Sequence, residues 1–177
     1  SNGVTLVAGS SAVTGQSYNY NGTSYLIVDD TTIGANKTAN IVTTRVTSMA
    51  SLFFNTSFNV DISHWDTAAV TAMSHMFNNA TSFNQNIGSW NTAAVTDVQW
   101  MFYQARAFNQ DISSWNTAAV TAIGSMFYAA ISFNQDLSNW CVQTHFNSEP
   151  DEFKINANNT CVNDPSKQPD WDGADCP

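Results

Sequence analysis

The sequence predicts an α/β solenoid of about four 25-residue coils. Short parallel strands stack on one side and short helices on the other, between a β-hairpin N-terminal cap and a disulfide-stapled C-terminal cap. Three observations predict this. Phe-Asn recurs at Phe58-Asn59, Phe83-Asn84, Phe108-Asn109 and Phe133-Asn134, and Trp recurs at Trp65, Trp90, Trp115 and Trp140, both with a spacing of 25 residues. A period of that length marks repeats that stack because none can bury its apolar face alone. The ends do not repeat: the first is rich in β-formers, and the last holds all three cysteines.

The N-terminal segment, residues 1–45, reads as the first cap. Residues 17–28 place β-rich runs on both sides of Asn21-Gly22, and Asn-Gly supplies the two left-handed positions of a tight hairpin turn. The repeats occupy 46–140. Each full unit reads W-[DN]-T-A-A-V-T-x-[MVI]-x-x-M-F-x-x-A-x-x-F-N-Q-[ND]-I. The apolar spacing of 3, 4 and 7 from Met73 predicts one face of a short helix. Ile87 to Trp90 and Val95 predict brief extended segments that pair into a parallel sheet. The first unit is one residue short, since Val46 to Val70 spans 24 and nothing stands where Ala80, Ala105 and Ala130 do later. Residues 141–177 form the second cap. Their prolines exclude long helices, and Cys141, Cys161 and Cys176 are the disulfide candidates, which implies an oxidising compartment. An odd count leaves one thiol free or paired outside the chain. Zinc is the weaker reading, because no close C-x-x-C pair is present.

Composition limits the partners. The 177 residues fit one domain, and 43% hydrophobic residues allow a packed core. Only 11% are charged, with a net charge of −9 and seven of the fourteen carboxylates in residues 141–177. With no basic cluster, nucleic acid is not a partner, and no apolar run is long enough to insert into a membrane. The chain begins Ser1-Asn2-Gly3 without an initiator Met or a signal peptide, which reads as a processed mature form or a fragment.

The run Phe108-Asn109-Gln110-Asp111-Ile112-Ser113-Ser114-Trp115-Asn116-Thr117, followed by Val120-Thr121 and Met126-Phe127, resembles the repeats of BspA-type leucine-rich-repeat surface proteins, a family once labelled a domain of unknown function. Those repeats read roughly F-N-Q-D-I-S-x-W-D-T-S-N-V-T-D-M-x-x-M-F. The resemblance covers about 46–140 and makes the predicted solenoid leucine-rich-repeat-like. It implies a secreted or cell-surface protein with a role in adhesion or protein–protein interaction. It implies no enzymatic activity, no catalytic residues and no cofactor. The chain departs from the pattern at Ala68-Ala69, Ala93-Ala94 and Ala118-Ala119, where the family commonly has Ser-Asn.

Candidate site residues follow from the columns. Thr67, Ala69, Thr92, Ala94, Thr117 and Ala119 form a flat Thr/Ala edge, and Trp100, Tyr103 and Tyr128 stand off the core columns as an aromatic patch. Together they make the candidate interaction surface. Asn59, Asn84, Asn109 and Asn134 read as a buried ladder that bonds the turning backbone of adjacent coils. Asp61, Asn86, Asp111 and Asp136 could hold calcium between coils, but satisfying turn N–H groups is the favoured role. The Trp column reads as wall rather than as a stacking platform. His64 and His75 read as solvated surface. Asn21, Asn36, Asn55, Asn79 and Asn158 begin glycosylation sequons. The expected function is adhesion or protein or glycan recognition at a cell surface. The alternative is a subunit that assembles with copies of itself into a filament or layer, and the third reading is ice binding through the Thr columns.

Overall fold

The computed structural model describes residues 5–38, 40–142, 153, 165–169 and 171. The chain enters through a three-stranded sheet in the order β1-β2-β3. β1 (Ser17–Tyr20) and β2 (Thr23–Asp29) form an antiparallel hairpin. Its turn residues, Asn21 and Gly22, have φ of 47° and 80°, the left-handed pair that a two-residue hairpin turn requires. A 3₁₀ turn at Ile33–Ala35 leads to β3 (Ile41–Arg45), which runs parallel to β2. Side chains alternate across a strand. Val28, Ile41 and Thr43 therefore face inward and are buried against the first coil.

Successive coils then stack, held by a regular exchange of backbone hydrogen bonds. The N–H groups of Met49, Ser51, Phe53 and Asn55 donate to the carbonyls of Ala72, Ser74, Met76 and Asn78 at 2.8–2.9 Å. Met73, His75, Phe77 and Asn79 donate in the same way to Asp97, Gln99, Met101 and Tyr103, and Val98, Trp100, Phe102 and Gln104 to Ala122, Gly124, Met126 and Tyr128. Between these donors the chain turns on itself. Met76 N–H closes on Met73, Asn78 on His75 and Ala80 on Phe77. Ser51, His75, Trp100 and Ser125 sit at the third position of the first turn, and Asn55, Asn79, Gln104 and Ala129 at the third position of the last, all with φ between 52° and 58°. Positive φ at that position is the type II arrangement.

The expected α/β solenoid is therefore incorrect. Among the described residues there is no α-helix, and the only extended sheet is the three-stranded one at the N-terminus. The apolar spacing that predicted a helix is produced by consecutive β-turns closed by i to i−3 bonds. Left-handed residues at the third position of the first and last turns break any i to i−4 ladder. The predicted parallel sheet shrinks to single-residue parallel bridges joining Ser48, Ala72, Asp97 and Ala122. The C-terminal cap lies mostly outside the described residues. Cys141 is disulfide-bonded, while Cys161 and Cys176 lie outside them.

Stacking identical coils stacks identical side chains. Phe53, Phe77, Phe102 and Phe127 form one column with ring centroids 5.4, 5.6 and 5.6 Å apart. Phe58, Phe83, Phe108 and Phe133 form a second, at 6.5, 6.0 and 5.8 Å. Within each coil the two rings stack at 3.8–4.0 Å. Trp65, Trp90, Trp115 and Trp140 wall this core, all at most 4% exposed. The indole N–H groups of Trp90, Trp115 and Trp140 donate to Ile62, Ile87 and Ile112 of the preceding coil at 3.2, 3.1 and 2.9 Å. Trp65 has no such coil before it, and its buried indole N–H has no partner among the described residues. In the short first unit, Thr56 Oγ1 donates to Phe53 at 2.9 Å, doing the work of the Ala80 N–H on Phe77.

The stack has polarity. Along the turn face each coil gives N–H groups forward and carbonyls backward, so the first coil shows a rim of four carbonyls, Ser48, Ala50, Leu52 and Phe54, that accept no hydrogen bond among the described residues. At the other end Phe127 N–H is taken by Phe153 and Leu137 N–H by Lys167, both at 2.9 Å.

Two outcomes test this architecture. Phe102→Ala, at the centre of both ring contacts, should cost about 3–5 kcal/mol in urea unfolding, and a loss below about 1 kcal/mol would contradict the ladder. Ala129→Gly should stabilise by about 1 kcal/mol, because a left-handed alanine is strained by that order, whereas Ala119→Gly should destabilise.

Candidate functional site

The turn face carries the exposed aromatics. His75 and Trp100 hold the left-handed third position of the first turn in successive coils, His75 half-buried and Trp100 exposed. Their rings stack across coils with centroids 4.6 Å apart. Phe54 meets His75 edge-on at 6.5 Å. His75 is further fixed by a 3.0 Å hydrogen bond between its Nδ1 and Asn78 Nδ2. One turn on, Tyr103 and Tyr128 stack at 4.7 Å with an interplanar angle of 7°. Tyr103 N–H closes on Trp100 at 3.2 Å, so the two pairs meet in one turn. The result is an oblique aromatic strip across the turn face, in which Phe54 is 52% and Trp100 36% exposed. Phe54 and His75 were not singled out with Trp100 from sequence. Phe54 follows the core Phe53 directly, and His75 looks like any variable polar position.

The Thr/Ala edge is different from expectation. Thr67, Thr92 and Thr117 are at most 4% exposed. Their hydroxyls donate to the carbonyls of Asn91, Asn116 and Cys141 at 2.9–3.0 Å, and Thr43 in β3 does the same to Asp66 at 2.7 Å. They are inter-coil struts and cannot serve as an interaction surface. The reason is the turn: each Thr carbonyl accepts the N–H of Val70, Val95 or Val120 at 2.9 Å, which leaves only the two alanines at the tip. Of the edge, Ala69 is exposed and Ala94 and Ala119 are half-buried. Thr71, Thr96 and Thr121 remain as the one exposed Thr row, which halves the surface available for ordering water.

The Asn column also lies elsewhere than expected. Asn59, Asn109 and Asn134 are exposed and Asn84 half-buried. The side chains of Asn59, Asn84 and Asn109 accept the N–H of Asn84, Asn109 and Asn134 at 2.8–2.9 Å. Gln85, Gln110 and Gln135 add side-chain bonds to the same oxygens at 2.8–3.0 Å. This is an amide ladder on the surface.

The acidic column makes local turns. Asp61, Asn86, Asp111 and Asp136 accept the N–H two residues ahead at 2.9–3.0 Å. Among the described residues no group of three or more His, Cys, Asp or Glu side chains is placed to hold a metal ion. The backbone N–H of Ser63 and of Ser138, with their hydroxyls next, holds Asp61 and Asp136 below the usual carboxylate range. For Asp111 the Ser113 hydroxyl is the larger cause. Asp30 seals the start of the exposed Thr row. It accepts the N–H groups of Thr47 and Ser48 and the Thr47 hydroxyl. Burial pushes its pKa up, but these bonds together outweigh burial and hold it below 3.8.

A folded pKa lowered below the unfolded value gives stability that is complete above the unfolded value and is lost as pH falls through the folded one. The melting temperature should therefore hold from neutral pH down to the unfolded carboxylate value, 3.8, and fall below it. Asp30→Asn should lower stability at neutral pH and flatten that acid slope. A midpoint that rises on acidification would contradict the assignment.

Among the described residues no helix is long and apolar enough to cross a membrane. No curated protein and no solved structure matches the chain. Residues 24–140, which run from β2 through the last Trp of the stack, match the family described as Mycoplasma protein of unknown function, DUF285. The chain belongs to that family.

Proposed function

We propose that this chain is an extracellular, non-enzymatic adhesion or protein-interaction module of a cell-surface protein, of the kind the BspA-like repeats imply. The observation that carries the reading is the aromatic strip of Phe54, His75, Trp100, Tyr103 and Tyr128. Large apolar side chains held at the surface are the usual anchors of a protein or glycan contact. Here the backbone bonds of four coils fix them, so little conformational entropy is lost on binding. A repeat array also offers the same few groups in every coil, which suits a long contact surface better than a unique reactive constellation.

The rival reading, self-assembly into a filament or layer, is weakened by the chemistry of the ends. Two first-coil rims would set carbonyl against carbonyl. A head-to-tail contact would need a free row of N–H donors at the last coil, where Phe127 N–H is already bonded to Phe153. A net charge of −9 adds repulsion between copies.

The test is surface binding. Fluorescently labelled protein is titrated against intact cells and a glycan array, beside a Trp100→Ala/Tyr103→Ala variant. The reading expects saturable binding that the variant weakens by about tenfold or more, equivalent to the loss of a modest hot spot, with an unchanged melting temperature. Binding that the variant leaves intact would reject the strip. Sedimentation into long assemblies that Ala94→Lys/Ala119→Lys dissolves would favour the rival.

A further inference from the structure

The N-terminal sheet has an outer face that the stack does not use. The register pairs Tyr18 with Tyr25, Tyr20 with Thr23 and Ile27 with Val42. These residues share the face opposite the buried Val28, Ile41 and Thr43. Residues 5–14 cross this face and are tied to it. Ala8 N–H donates to Thr44 Oγ1 at 3.0 Å, and the Arg45 guanidinium donates to the Ala12 carbonyl at 2.6 Å. Val13 N–H donates to Tyr18 Oη at 3.1 Å. Between this strap and the sheet lies a groove of about 290 Å³, lined among others by Leu6, Val7, Tyr18, Tyr20, Tyr25 and Ile27. Its rim is strongly exposed: Val7 66%, Tyr20 47% and Tyr18 41%. No charged side chain lines it, although the chain carries −9 overall.

A second observation meets the first. β1 is the edge strand, all four of its residues are exposed, and among the described residues β2 is its only strand partner. The free edge of an antiparallel pair offers both N–H and C=O groups, and a polypeptide backbone is the ligand that complements both. A strand added beside β1 would carry every second side chain onto the face that holds Tyr18 and Tyr20, which is the groove.

We propose that β1 and this groove form a docking site for an extended, uncharged segment of another protein, bound by strand addition with apolar residues at alternate positions. Charge decides the occupant. A carboxylate or ammonium group in the groove would lose its hydration without gaining a partner. A second copy would bring another −9 against this one. The rim of the first coil cannot take such a strand, because it offers acceptors alone, whereas β1 can.

The test uses the whole chain and a fluorescent, acetylated and amidated hexapeptide of alternating Val and Thr, followed by anisotropy and by amide exchange of β1. The site predicts saturable binding, slowed exchange in residues 17–20, and loss of about tenfold or more in affinity with Tyr20→Asp. Backbone N-methylation of the peptide should abolish binding, while Trp100→Ala should leave it unchanged. Tyr20 is exposed, so the Asp variant keeps its fold, checked by an unchanged melting temperature. The proposal is overturned if nothing saturates at millimolar peptide, if Tyr20→Asp or N-methylation has no effect, or if β1 is instead protected by dimerisation of the free protein. Binding of a neutral oligosaccharide to the groove in place of the peptide would overturn it as well.

Discussion

Alternate N–H groups of one coil find the carbonyls of the next, and this single exchange sets the separation between coils at roughly the 4.8 Å of paired strands. Side chains in one column are then forced into register. In the two Phe columns identical rings stack on each other, so that Phe77 lies between Phe53 and Phe102 at 5.4 and 5.6 Å, and Val70, Val95 and Val120 repeat in the same core beside them. The Thr struts, the indole bonds to Ile carbonyls and the Asn–Gln ladder are further sets of bonds spanning the same gap.

Because the alternate N–H groups of the turn face all point one way, the ends of that ladder differ chemically. The forward end needs acceptors, which Phe153 and Lys167 supply through their carbonyls. The backward end needs donors, and the N-terminal sheet supplies few. It covers the apolar core with Val28, Ile33 and Ile41, and Asp30 bonds the first Thr row, but among the described residues the carbonyl rim and the Trp65 indole stay without partners. The sheet thus caps apolar area more completely than it caps polar groups. That leaves its own outer face and edge as surplus surface.

The period, the columns and the wall of Trp were legible because each is a fixed spacing of conspicuous residues. The local conformation was not. Met73, Met76, Phe77 and Ala80 fall three and four apart in both a helix and a run of turns, and only φ separates the two. The positions that decide it, His75 and Trp100, are not glycine and give no sign of a left-handed backbone. The same gap misplaced Thr67, Thr92 and Thr117. A Thr before two alanines reads as surface until its hydroxyl is seen reaching the next coil. Trp100 was legible as an outlier because its column otherwise holds polar residues, Ser51, His75 and Ser125. The groove on the outer sheet face was hidden, since it depends on where residues 5–14 cross, which no periodicity encodes.

The turn-built stack is tested most directly by nuclear magnetic resonance couplings across hydrogen bonds in uniformly labelled protein. The account predicts couplings from the amides of Met73, His75, Phe77 and Asn79 to the carbonyls of Asp97, Gln99, Met101 and Tyr103, with positive φ at His75 and Trp100. Couplings from each amide in residues 73–80 to the carbonyl four residues earlier, with negative φ throughout, would restore the helix and contradict the account.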